Sequence, residues 1–297
     1  MTVVFGGTGF LGRRIVSALT GDAVPIRIAT RHPRQTARIP AGADDSAKIE
    51  TIAADVTDPA SVRGALEGCT VIVNCVSLYH EHGAATFESV HVDGAATVAE
   101  AAADAGASHL VHLSGIGADP NASSRYISAR GLGETAVHAA FPRATVFRPS
   151  VMFGEDDKFV TLLSGIVRRA PLIPLFGDGS TRLQPVYVGD VAAAAVKAQG
   201  QPASAGRTYE LGGPEVMSYK AVLKRIGERH GRDPMLVPVP FAAWSAAARV
   251  MRPMSNPPLI EGQVALMRND NVASAAMPGL TDFGITPTAI ASVIRNV

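Results

Sequence analysis

Glycines stand at positions 6, 9 and 12, between an apolar run from Thr2 to Phe5 and a segment from Phe10 to Leu19 whose apolar residues recur at helical spacing. Glycines at a strand-to-helix junction can cradle a pyrophosphate. Gly6 permits the tight turn, Gly9 lets the backbone approach the phosphates, and Gly12 lets the helix pack closely on the sheet. Free N–H groups and the dipole at the helix N-terminus then favour the anion. Pro25 to Thr30 read as a second strand, and Arg31 follows it where a carboxylate would bind the ribose 2′-hydroxyl of NAD. A guanidinium there suits the extra 2′-phosphate of NADP(H), which it pairs through two parallel hydrogen bonds. Arg13 and Arg34 are candidates to assist, although each of these arginines taken singly reads equally well as a solvated surface charge.

These groups need a frame of strands and helices to place them. Glu50 to Ala54 read as a third strand ending in Asp55-Val56, and Thr70 to Cys75 as a fourth carrying Asn74, Cys75, Val76 and Ser77 at its end. Strand ends on one edge of an open parallel sheet line a cofactor crevice. His91 to Ala105 read as an alanine-rich helix, Leu110 to Ser114 as a fifth strand, Arg130 to Ala140 as a helix, and Ala144 to Phe147 as a sixth strand. The alternation predicts an α/β fold: a Rossmann-type doubly wound parallel sheet with a smaller, less regular C-terminal, substrate-side region. Residues 1–153 and 180–212 are expected to form the NAD(P)-binding domain, and 154–179 with 213–297 the smaller region. Pro/Gly-rich stretches at 171–179 and 234–240 mark the looser part.

The chain has 297 residues, a formal net charge of +1 and 47% hydrophobic content, enough for one large domain or two unequal ones. No dense Lys/Arg run or aromatic–basic interleaving points to nucleic acid. Cys69 and Cys75 fall near or inside an apparent buried strand without metal-type spacing, which fits a reducing, cytoplasmic compartment. The first strand begins at residue 2, so no secretory signal is expected. Pro240 to Met251 is too short to span a bilayer and carries Arg249; it reads as a helix on a domain or partner surface. Gly-x-Ser-x-Gly and Gly-x-x-x-x-Gly-Lys are both absent, against hydrolase and NTPase chemistry. His80-Glu81-His82 reads as a solvated or substrate-side loop, since adjacent loop positions lack a third ligand; no metal site is expected. His109 and His112 read as packing residues of the fifth strand. Trp244 with Met251 and Met254 reads as core or as a docking face.

Gly6-Gly7-Thr8-Gly9-Phe10-Leu11-Gly12, Asp55-Val56, Arg148-Pro149-Ser150 with Phe153-Gly154, and Pro185 to Val191 together resemble the short-chain dehydrogenase/reductase superfamily in its extended or atypical, epimerase/dehydratase-like branch. Tyr126 to Glu134, Arg182 to Val188 and the tail 269–272 with 284–289 resemble the nucleotide-binding accessory subunit of respiratory complex I and its bacterial relatives. The resemblance implies that Thr8, Phe10 and Leu11 join the glycines at the cofactor, that Asp55 and Val56 meet the adenine, and that Asn74, Val76 and Pro149 line the site. It also implies a tyrosine that exchanges the proton, a lysine four residues on that anchors the nicotinamide ribose, and a serine or threonine that polarises the substrate carbonyl. Tyr126 and Ser114 match the first and last, but Arg130 stands where the lysine would be, and Ser77 where a glycine is common. Arginine supplies charge and ribose hydrogen bonds, yet it does not lose a proton and its fork differs from an ammonium. Tyr126 and Arg130 have an alternative reading as a helix-face tyrosine beside a surface arginine.

Two functional readings follow. One is an NADP(H)-binding atypical member whose cofactor is structural or redox-sensing, partnered by respiratory complex I at the inner face of a membrane. The other is an active NADPH-dependent reductase or epimerase acting on a small carbonyl or nucleotide-linked substrate, with Tyr126, Ser114 and Arg130 as its catalytic groups. A regulatory nucleotide sensor is a third, separate class.

Overall fold

The computed structural model describes residues 1–21, 24–33, 49–251, 254, 259 and 261–293. Two compact units emerge: residues 1–149, 188–211 and 274–287 form the first, and 150–187, 212–273 and 288–297 the second. Relative to the division expected from sequence, 150–153, 180–187 and 212 fall in the second unit and 274–287 in the first.

The first unit is built on β1 (Thr2–Phe5), α1 (Phe10–Thr20), β2 (Ile26–Thr30), β3 (Ile49–Ala53), α2 (Pro59–Leu66) and β4 (Val71–Asn74). It continues through α3 (Gly94–Asp104), β5 (His109–Leu113), α4 (Arg125–Ala140), β6 (Thr145–Pro149), α5 (Val188–Gln199) and β7 (Thr208–Leu211). The seven strands are parallel in the order β7-β6-β5-β4-β1-β2-β3. A parallel sheet with helices on both faces buries its strands twice over, which is why β1 reads as an unbroken apolar run and why Val3, Val4 and Phe5 are inaccessible. The order reverses between β1 and β4, so the turn leaving β1 and the end of β4 sit side by side at the crevice of the sheet.

Several boundaries differ from the sequence expectation. The helix expected from Arg130 starts five residues earlier, at Arg125, and so carries Tyr126 in its first turn. The helix expected from His91 opens as a π-helical turn, Glu88–Asp93, before α3 begins at Gly94. α2 was not expected from sequence; Asp58 caps it by accepting from the Ala60 N–H, and Pro59 fits its first turn.

In the second unit, the Pro/Gly-rich stretches are not irregular, as expected, but form a parallel strand pair, Leu172–Phe176 with Met235–Val239. Pro174 and Pro238 fit there because a two-stranded sheet consists of edges, where a missing N–H is tolerated. Helices Lys158–Arg169 and Tyr219–Arg229 pack beside it through Val160, Leu163, Val167, Leu223 and Ile226. The expected surface helix spans Phe241–Met251; Trp244 on it stacks near Phe176 at 4.6 Å and donates its indole N–H to the Leu175 carbonyl at 2.8 Å, which makes it a packing residue. Among the described residues, no helix is long and apolar enough to cross a membrane.

Inside the first unit, Arg148 of β6 donates to both carboxylate oxygens of Glu134 on α4, at 2.9 and 2.6 Å, and lies 3.6 Å from Glu210 on β7. Glu210 in turn accepts from the Ser274 N–H at 2.8 Å. Truncating Arg148 leaves two buried carboxylates without their cation, so Arg148→Met is expected to lower folding stability by about 3 kcal/mol, read as a drop in urea midpoint at unchanged slope.

Candidate functional site

The turn from β1 to α1 is held by backbone bonds: Gly6 N–H to Ala29 O at 3.0 Å, Gly9 N–H to Gly6 O at 2.9 Å and Cys75 N–H to Phe5 O at 3.0 Å. Gly6 lies at φ +72°, a left-handed conformation that favours glycine, and a Cβ there would come within 3.3 Å of the Cys75–Val76 backbone. A Cβ on Gly12 would strike the Gly6 carbonyl and lie 2.7 Å from the Gly7 Cα. Gly9 is the N-cap, in extended backbone, and no side chain caps α1. The helix therefore presents its first N–H groups without a side-chain acceptor.

Around this turn, Thr8 and Thr30 place their hydroxyls 3.3 Å apart, and Arg31 is exposed directly after β2. Arg13 sets its guanidinium over the Phe10 ring at 5.9 Å, while Leu11 is buried beneath. Arg34 lies outside the described residues. At the end of β3, Asp55 accepts from the Thr57 N–H at 3.0 Å and from its hydroxyl at 2.8 Å, so one carboxylate oxygen shapes its own turn. Val56 is buried. At the end of β4, Asn74 is buried and accepts from the Val76 N–H at 3.1 Å, fixing the backbone that faces Gly6. Burial pushes the Cys75 thiol up to about 12, so it is no thiolate at neutral pH. Pro149, the last residue of β6, accepts from the Ile116 N–H at 3.2 Å.

α4 brings a second set of groups together. It approaches the π-helical turn so closely that a Cβ on Gly133 would collide with the His91 carbonyl, and one on Gly131 would overlap the Asp119–Pro120 backbone. Tyr126 and Arg130, four residues apart, share one face of α4, with the guanidinium 5.1 Å from the phenol ring centre. Arg130 donates to the Ser77 hydroxyl at 3.1 Å, and its Nη1 occupies the space where Gly115 lacks a side chain. Ser114 sits beside Gly115; its hydroxyl and the Arg130 Nε are buried without a hydrogen-bond partner. The Tyr126 ring is enclosed by Tyr79, Phe87 and His91 at 6.0, 5.3 and 5.7 Å. Burial pushes its phenol up to about 12 despite the opposing Arg130 charge, so at neutral pH it is a proton donor and a poor base.

Within His80-Glu81-His82, Glu81 is engaged by Arg125 through bonds of 3.0 and 3.1 Å and by the Phe87 N–H at 2.9 Å. Among the described residues, no group of three or more His, Cys, Asp and Glu is placed to hold a metal. His109 is half-buried at the start of β5, and His112 is buried within it with Nδ1 unpartnered. The Tyr79–Phe87–His91 enclosure and the Glu81–Arg125 pair were not read from the sequence. Paired glycines at 131 and 133 within a helix were the one local sign of the close approach.

A description of the NAD-dependent epimerase/dehydratase family matches residues 2–212. The chain is 29% identical over 298 residues, 97% of its length and 74% of the relative's, to NADH dehydrogenase (ubiquinone) 1 alpha subcomplex subunit 9, mitochondrial, of Arabidopsis thaliana. It is 31% identical over 197 residues, 65% of its length and 59% of the relative's, to ceramide reductase of Caulobacter vibrioides. Among solved structures it is similar in fold to DesIV, a dTDP-glucose 4,6-dehydratase from Streptomyces venezuelae with NAD and TYD bound. That likeness has a TM-score of 0.76 at 18% identity and covers 99% of this chain and 94% of that one.

Burial also governs the pH response of this site. Desolvation lowers His91 to about 4, with Arg130 adding to it, and lowers His112 to about 3, with His91 and Arg130 adding to it. The folded state thus keeps both rings neutral while the unfolded chain takes up protons near the ordinary imidazole value. Their contribution to stability is full above that value and declines as pH falls toward about 4 and about 3. Thermal melts are expected to fall from about pH 7 to about pH 5, and His91→Gln to lose less over that interval than the unchanged chain.

Proposed function

This chain belongs to the NAD-dependent epimerase/dehydratase family, and we propose that it is an atypical, NADP(H)-binding member that holds its cofactor as a structural or redox-sensing ligand. Its proposed place is on respiratory complex I, at the cytoplasmic, inner face of a respiratory membrane. The observation that carries this reading is the state of the proton-transfer position. Arg130 is clasped by Ser77 and pressed against Gly115, beside a phenol that burial holds at about 12. Where the family's pattern has a lysine, this arginine is held by Ser77 and packed against Gly115, and a guanidinium does not give up a proton to a relay. Similarity along most of the chain to the complex I subunit of Arabidopsis thaliana supports the choice of partner.

The cofactor-binding residues we assign are Gly6, Thr8, Gly9, Phe10, Leu11, Gly12, Arg13, Arg31, Asp55, Val56, Asn74, Val76, Arg130 and Pro149. A turn free of Cβ atoms and a helix start without a side-chain cap fit a pyrophosphate. When bound, the nicotinamide would supply hydride chemistry. Here the chain's own residues do the holding: the α1 N-terminus takes the diphosphate, and the exposed Arg31 takes the 2′-phosphate. Arg130, with its free Nε, takes a ribose hydroxyl. Binding the folded chain alone would stabilise it by mass action.

A second reading, an active NADPH-dependent reductase or epimerase, is favoured by the Ser114 hydroxyl, buried without a partner and so free to polarise a carbonyl. Partial similarity to a ceramide reductase is in line with it. There Tyr126 would donate the proton and Arg130 anchor the ribose.

Mild-detergent purification of the tagged chain from its own host tests the first reading. Recovery of complex I subunits with bound NADPH is expected; a free protein that turns over carbonyl substrates, faster still as Arg130→Lys, would overturn it. For the cofactor itself, Arg31→Ala is expected to weaken NADPH by about tenfold or more in fluorescence titration while leaving NADH nearly unchanged. Equal losses for both would remove the 2′-phosphate assignment.

A further inference from the structure

Tyr126 is only 4% exposed, yet the ring stacked on it, Tyr79, is 58% exposed. The segment from Leu78 to Phe87 lays Tyr79 across the Tyr126 ring on that side, and Phe87 meets the same ring edge-on at 5.3 Å. Its two ends are fixed. At one, His91 donates from Nε2 to the Leu78 carbonyl at 2.9 Å. At the other, Thr86 and Ser89 exchange hydrogen bonds, the Ser89 N–H to the Thr86 hydroxyl at 3.0 Å and the Thr86 N–H to the Ser89 hydroxyl at 2.9 Å. Between these anchors the segment folds back on itself, His82 and Ala85 pairing through two backbone bonds of 3.0 Å around Gly83, which lies at φ +56°.

Two links to α4 stand out within that span: the Tyr79–Tyr126 stack, and the fork of Arg125 on the Glu81 carboxylate at 3.0 and 3.1 Å. Arg125 is adjacent to Tyr126, so the ion pair closes the segment at the very turn of α4 that carries the phenol. We propose that residues 79–86 form a gate over Tyr126, with the Glu81–Arg125 pair as its latch and Tyr79 as its leaf. The gate rests on geometry alone and applies whether Tyr126 takes part in turnover or only borders a held cofactor.

An exposed, bidentate ion pair is weak enough to open on a fast timescale and weakens further in salt. The Glu81 carboxylate has a second task, accepting the Phe87 N–H at 2.9 Å, so releasing Arg125 leaves the far anchor of the segment in place. The latch thus controls the tip and not the fold of the surrounding turn.

Acetylation of the full chain with N-acetylimidazole, with each tyrosine followed by peptide mass spectrometry, reads the gate without cofactor, substrate or turnover. In the unchanged chain Tyr79 is expected to label readily and Tyr126 slowly. Glu81→Gln and Arg125→Ala should each raise the Tyr126 rate by about fivefold, and the double variant no further, since one pair is being removed. Tyr79→Ala should raise it most. Melting temperatures verify that each variant is folded, and Arg125→Ala, at an exposed position, serves should Glu81→Gln unfold. Tyr126 labelling as fast as Tyr79 in the unchanged chain, or unaltered in folded latch variants, would overturn the gate. Neither result bears on cofactor preference or on complex I, which the purification and titrations decide separately.

Discussion

A Cβ on Gly12 would strike the Gly6 carbonyl, so α1 reaches the turn after β1 only because backbone can touch backbone there. That contact sets the position of the helix start, and with it the direction in which its N–H groups point. Gly6 in turn meets the Cys75–Val76 backbone, and Asn74 holds that backbone by accepting from Val76. β1 and β4 are neighbours at the place where the strand order reverses. This end of the sheet is thus one chain of backbone contacts, and each link tolerates little added volume.

A second constraint acts on the same sheet from α4. Gly131 and Gly133 let that helix lie against the Asp119–Pro120 backbone and the His91 carbonyl, and the Arg148 fork on Glu134 fixes it to β6. A buried ion pair of this kind adds less to stability than it costs when broken, because either partner left alone is an unpaired buried charge. Its effect is positional. Glu134 lies one turn beyond Arg130 on α4, so the pair fixes the helix whose preceding turn carries the Arg130 guanidinium onto Ser77.

Elements governed by local pattern were legible in the sequence. β1 and α1 follow from apolar periodicity, and the glycine turn from the type of residue at each position. Contacts between distant segments were not. Glu81 and Arg125 are 44 residues apart, and neither stands in a pattern that marks a pair. The Leu172–Phe176 and Met235–Val239 strands were hidden by their prolines, which argue against a central strand and say little about a two-stranded sheet made of edges. The helix was expected from Arg130 and begins at Arg125, so Tyr126, ahead of the stretch that reads as helical, sits inside α4.

The position of Arg130 was legible, but its consequence needed the fold. A guanidinium holds its charge through the neutral range and spreads it over a planar fork. Here one arm of that fork reaches Ser77 and another fills the space beside Gly115. Both features sit at strand ends, Ser77 after β4 and Gly115 after β5, so the arginine bridges two adjacent strands of the sheet. A lysine offers one ammonium on a flexible stem and could not span both at once. Serine at 77 and glycine at 115 therefore belong to the same arrangement as the arginine, and exchanging Arg130 alone would leave a hydroxyl and a void shaped for a group no longer there.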